Sequence, residues 1–200
     1  TAQIRGLDQA MRNANDGISM LQTAEGSMDE VGNMLQRMRE LSVQSANGTL
    51  SDADKDSLQV EYQALSDEIT RVASATEFNG TKLLDGSAGS VSLQVGHTSA
   101  ADNTISVSLQ DISGLGALTE DIGSTGDAAA ALDALDTDIN TVTAARGSLG
   151  AVQNRLESTV RNLANVIENQ SAARSRIRDA DFAAETSNLT RTQILQQAGS

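Results

Sequence analysis

Apolar residues recur through the first forty positions at the spacing of a helix with one face to bury. Ile4, Leu7, Met11, Ala14, Ile18, Leu21, Ala24, Met28, Val31, Leu35 and Met38 follow one another at steps of three and four. That spacing keeps them on one stripe of a 3.6-residue spiral and predicts a supercoiled partner. Two successive three-residue steps around Leu21 and Ala24 predict a local stammer. Gly6, Gly17, Gly26 and Gly32 interrupt the same stretch, each costing up to about 1 kcal/mol against Ala inside a helix. Tertiary packing must therefore hold this helix, which the pattern extends over 1–46. Gly48 is expected to close it in the left-handed conformation, helped by Asn47.

Ser51 and Asp54 then form a capping-box signature, with Asp52 adding negative charge to the first turn. Leu58, Tyr62, Leu65, Ile69 and Val72 carry a second helix over 52–76. Phe78-Asn79-Gly80 is a turn signal, and beyond it the period changes to two. Val91, Leu93 and Val95 alternate with polar positions, as do Ile105, Val107 and Leu109, which predicts a β-hairpin. The region 77–126 is thus hairpin and loop, with the Gly-, Ser- and Thr-rich 113–126 as loop. A third helix is predicted over 127–178, its stripe running from Leu132, Leu135, Ile139, Val142, Ala145, Leu149, Val152, Leu156, Val160 and Leu163 to Ile177. A further amphipathic helix starts at 182 and continues to 199.

Helices of about 45–50 residues are about 70 Å long, too long for a sphere. The expected fold is mainly α: an elongated rod of three long antiparallel helices, a heptad-packed bundle, with a small β-hairpin region. Both chain ends should lie at one end of the rod. The first heptad is already in phase at residue 1 and the last helix is still in progress at 199, so the chain reads as an internal fragment.

Composition supports close helix packing and removes most chemistry. There is no Pro, Trp or Cys, one Tyr and two Phe, so the core must be aliphatic and no aromatic pocket is expected. Fourteen basic against 27 acidic residues leave a net charge of −13, which argues against nucleic acid and anionic membrane surfaces as partners. No apolar run approaches the roughly 20 residues of a membrane span. His97 is the single histidine, too few for a triad or a zinc site. Asp52, Asp54 and Asp56 imitate the start of a calcium loop, but Ser57 and Gln63 stand where Gly and a bidentate Glu are needed. No phosphate-cradling glycine motif is present. No catalytic residue, metal or cofactor is expected.

What remains is the outward face of the stretch LQRMRELSVQSANG, residues 35–48. Leu35, Met38 and Ser42 fall on the inner side of the spiral; Arg37, Glu40, Leu41 and Gln44 fall on the other and mix both charges with an apolar residue. Read alone, Arg37 and Glu40 suit solvated charges as well as a contact surface.

The runs RNANDGISMLQTAEGSMDEVGNMLQRMRELSVQSANGTLSD, EFNGTKLL and LGAVQNRLESTVRNLANVIENQSAARSRIRDADFAAETSNLTRTQILQQAG resemble bacterial flagellin, in order and over nearly all of 1–112 and 127–199. The resemblance implies that 1–200 is a flagellin inner core domain lacking the terminal coiled-coil helices. Its implied role is that of a secreted structural subunit, stacking with other flagellin subunits into the helical filament of the bacterial flagellum. The fragment alone is then expected to be monomeric. The resemblance also implies a site. Gln36, Arg37, Glu40 and Leu41, with Glu61 on the second helix, match the family segment bound by Toll-like receptor 5 of animal hosts. Together with Gln44, that segment also packs between protofilaments. A hook-associated or junction protein, or a secreted coiled-coil adhesin, is the competing assignment.

Overall fold

A computed structural model describes residues 2–199, with all side chains among them except those of 177–184; Ile177, the end of the predicted stripe, falls outside that set. The spine is α1, Ala2–Ser45. Its buried residues form two unbroken heptad columns. One is Leu7, Ala14, Leu21, Met28, Leu35 and Ser42; the other is Ala10, Gly17, Ala24, Val31, Met38 and Ser45. The expected stammer is therefore absent. Gly17 does not read as a core residue in sequence, so the apparent stripe passes through Met11 and Ile18, which are only half-buried.

Against this spine lies α3, Ala128–Ala198. Leu135, Val142, Leu149, Leu156 and Leu163 repeat every seven residues and are all buried. The two helices run antiparallel: Leu7 and Ala10 cluster with Leu163 at one end, and Arg39 bonds Asp136 at 2.6 Å near the other. Between them, Arg146 pairs with Asp29 at 2.8 Å.

The predicted break between 178 and 182 is not there; α3 is one continuous helix of 71 residues, about 106 Å at 1.5 Å per residue. No Pro or capping sequence stops it, and the weakened stripe beyond Leu163 marks the end of its partner rather than the end of the helix. Past the α1 terminus the described side chains, those of 174–176 and 185–199, are all exposed.

The third strip is composite, which corrects the expectation of a third long helix packed in a bundle. Asp52–Ala75 forms α2, only 24 residues long. Ser51 caps it as predicted: its Oγ accepts from the Asp54 N–H at 3.3 Å and the Asp54 carboxylate accepts from the Ser51 N–H at 3.2 Å. This helix covers only the C-terminal part of α1, ending where Thr76 bonds Ser27 at 3.1 Å. The chain then continues in the same direction as β-structure.

Strands β1 (Glu77–Phe78) and β2 (Thr81–Lys82) flank a turn with positive φ at Asn79 and Gly80. Then β3 (Ser90–Gln94) and β4 (Thr104–Ser108) pair with Val91 opposite Val107 and Leu93 opposite Ile105. This hairpin docks on the N-terminal part of α1. Asn13 donates to the Gln94 carbonyl at 3.0 Å, Leu93 fills the space above Gly17, and the His97 Cβ lies 3.0 Å from where a Gly6 Cβ would stand. Two of the helix-weakening glycines are thus seats for the hairpin.

The predicted loop 113–126 is part of the core. Ile112, Ala117 and Ile122 are fully buried in a segment that returns between α2 and α3. A buried irregular backbone needs partners for its polar groups, and here side chains of the helices supply them. Tyr62 Oη donates to the Ala117 carbonyl at 2.8 Å, Ser66 Oγ to that of Leu118 at 3.0 Å, and Ser45 Oγ to that of Ile122. The Ala117 N–H reaches the buried Asp138 carboxylate at 2.8 Å, and the Ile122 N–H reaches Gln59 Oε1 at 2.8 Å. Burial, with Glu120 and Asp138 adding to it, raises the Tyr62 pKa far above its ordinary value, so the hydroxyl keeps the proton it donates. Asp138 sits in a heptad position of α3 for this reason rather than for packing.

Gly26 has nothing within 4 Å of an added Cβ, unlike Gly17. Gly26→Ala is expected to raise the urea-unfolding free energy by up to about 1 kcal/mol. Gly17→Leu is expected to loosen the hairpin, read as faster amide exchange in β3 and β4 with α2 unaffected.

Candidate interaction face

The C-terminal third of α1 lies between α2 on one side and α3 on the other, so only one strip of it faces solvent. Gln36, Arg37, Glu40 and Gln44 lie on that strip and are exposed, as is Glu61 on α2. Leu41 does not join them. It is 1 % exposed and belongs to the main core with Met38 and Tyr62, because α2 packs over the flank of α1 that a lone-helix projection leaves open. The apolar residue that does reach the surface is Val43, 53 % exposed beside Gln36, Arg39 and Glu40. Sequence reasoning missed it, although its position outside both heptad columns was the available signal.

The strip is latched at both edges. Arg37 is forked: its Nε donates to Glu61 at 2.8 Å across the α1–α2 groove, and one terminal nitrogen donates to Glu40 at 2.9 Å one turn along. The bond to Glu61, then that to Glu40, raises the guanidinium pKa above its ordinary value, so Arg37 stays charged wherever the chain is folded. At the opposite edge the hydrogen bond from Arg39 holds the Asp136 carboxyl below its ordinary range. That contribution to stability is present above the carboxylate range and is lost as pH falls through the folded value.

All these side chains are about half exposed or more, so solvent screens each pair and its contribution to stability is small. Their effect is positional, since they hold long side chains in one conformation on the surface. Such a strip offers charge, hydrogen bonds and one valine to a protein partner. It contains no pair of groups arranged for acid–base or nucleophilic work.

Relatives identify the chain. The bacterial flagellin N-terminal helical region matches residues 1–89, and the bacterial flagellin C-terminal helical region matches residues 132–200. A flagellin of Halalkalibacterium halodurans is 50% identical over 199 residues, 98% of this chain and 73% of that protein.

This chain belongs to the flagellin family.

The crystal structure of Bacillus cereus flagellin superposes with a TM-score of 0.67 at 33% identity, covering 82% of this chain and 94% of that one. A putative flagellar hook-associated protein from Vibrio parahaemolyticus shares the fold, with a TM-score of 0.71 at 19% identity over 85% of this chain and 92% of that one. At that identity the likeness is one of architecture alone, and the assignment rests on the flagellins. Flagellins are structural proteins, not enzymes, that assemble with copies of themselves into the bacterial flagellum, an extracellular filament.

Leu41→Ala in this flagellin should cost about 2–5 kcal/mol as a core truncation, whereas Arg37→Ala, which removes solvent-screened pairs, should leave the unfolding midpoint nearly unchanged. Urea denaturation followed by circular dichroism separates the two.

Proposed function

We propose that the strip Gln36, Arg37, Glu40 and Gln44 with Glu61, floored by the buried Leu41, is a protein-binding surface used twice. In the assembled filament it packs against a neighbouring protofilament. On the free subunit, exported through the flagellar channel and secreted, it is the surface met by Toll-like receptor 5 of an animal host. The observation that supports this reading is the Arg37 fork. An arginine held by carboxylates on two helices presents its remaining donors at a fixed place and loses little side-chain freedom on binding. Arginine is enriched among residues that dominate interface energetics, and the exposed Val43 adds a small apolar contact beside it.

The exposed stripe at the end of α3 supports the filament side of the proposal. Leu189, Ile194 and Leu195 are 55–66% exposed, on a stretch of helix whose described side chains are all exposed from 185 to 199. An unpartnered helix with an apolar stripe is only marginally stable in water, so it is suited to packing against other subunits. Contacts that repeat head to tail without closing produce filaments rather than rings.

Arg37→Ala in the purified subunit is expected to shift the half-maximal dose for receptor signalling upward by about tenfold, equivalent to about 1.4 kcal/mol, with an unchanged circular dichroism spectrum. A dose-response curve overlying that of the parent subunit would remove Arg37 from the receptor surface.

A further inference from the structure

The chain has two Asn-Gly pairs, Asn47-Gly48 and Asn79-Gly80, both exposed, and they sit in different turns. Gly48 does not close α1 in the left-handed conformation, since the glycines with positive φ are Gly80, Gly86 and Gly89. The asparagine side chain makes the turn instead. Asn47 Oδ1 accepts from the Thr49 N–H at 3.1 Å, and the Asn47 carbonyl accepts from the Leu50 N–H at 3.2 Å.

We infer that Asn47 is a site of spontaneous amide hydrolysis through a cyclic imide formed with the Gly48 nitrogen, and that its turn favours this reaction over the same reaction at Asn79. Three features carry the inference. The bond from Thr49 closes a ring that contains the Gly48 peptide and so holds the Asn47 carboxamide on that side of the chain. The same N–H points at the oxygen on which negative charge develops during attack, as donors at an oxyanion do. Among the described residues no hydrogen bond occupies the N–H of Gly48, the attacking nitrogen.

Asn79 lacks this arrangement. Its φ of 49° and the 79° of Gly80 are held by the pairing of Phe78 with Thr81 on either side. Swinging that peptide toward the Asn79 side chain requires the pairing to break.

In the reaction the Gly48 nitrogen gives its proton to solvent base and bonds to the Asn47 amide carbon. The carbon–NH2 bond then breaks and ammonia leaves. Water opens the imide at either carbonyl, giving an aspartyl or an isoaspartyl residue, with no oxidant or reductant involved. The product adds one negative charge at the joint between α1 and α2, one turn beyond Gln44. The isoaspartyl form also lengthens the backbone there. This inference does not depend on the proposed binding role.

The test is a time course of the intact folded chain in mildly alkaline buffer made with heavy-oxygen water, followed by peptide mapping with isoaspartate detection. The peptide holding Asn47 is expected to convert severalfold faster than that holding Asn79, with heavy oxygen in the product. In urea the two rates should converge. Thr49→Pro keeps the Asn-Gly pair but removes the donor and should slow conversion toward the Asn79 rate; Thr49→Ala keeps the donor and should not. Equal rates in the folded chain, faster conversion at Asn79, or a Thr49→Pro rate equal to that of the parent would each overturn the inference.

Discussion

Leu7, Ala14, Leu21, Met28 and Leu35 of α1 face a matching column of Leu163, Leu156, Leu149, Val142 and Leu135 on α3, all buried. Strict seven-residue spacing on both helices keeps the columns in register along an antiparallel supercoil. Each fully buried Leu or Val adds about 1.5–3 kcal/mol, and no aromatic side chain is needed to fill the seam. Everything else is placed by it. Small residues at Ala10, Gly17 and Ala24 in the second α1 column allow other elements to come close, and α2 and the hairpin lie end to end on what remains of α1.

A second constraint sits on top of the first. The chain must return from β4 to the start of α3, and the route it takes is buried. Its backbone groups would be costly without partners. The solution uses polar side chains on all three helices: Ser45 from α1, Gln59, Tyr62 and Ser66 from α2, and Asp138 from α3. The return segment therefore ties α2 to both α1 and α3, while the Arg37–Glu61 pair spans the α1–α2 groove at the surface.

Much of this was legible in the residues. Heptad spacing located both long helices, period two located the hairpin, and the Ser51–Asp54 box marked the α2 start. What stayed hidden shares one physical origin. Gly17 and Asp138 are core positions whose identity is set by a tertiary neighbour, not by the periodicity of their own helix. Leu41 was placed outside because a helix considered alone has one buried face, whereas α1 is covered on more than one. The buried return segment is rich in Gly, Ser and Thr, a composition that marks loops, and only the distant hydrogen-bonding side chains reveal that it lies inside. The exposed strip was legible as a set of charges, but the two-helix fork of Arg37 depends on the α1–α2 register, which no local pattern records.

Native-state hydrogen exchange along α3 tests the primacy of the seam most directly, since α3 is one geometric helix whose heptad column is buried against α1 up to Leu163 and whose described side chains are all exposed from 185 to 199. Amides between Leu135 and Leu163 should exchange only with global unfolding, and protection should fall beyond Ile167, the last residue of the apolar cluster built on Leu7, Ala10 and Leu163. Uniform protection from Leu135 to Leu195 in the isolated monomer would show that the helix is held by something other than the α1 columns, and would contradict this account.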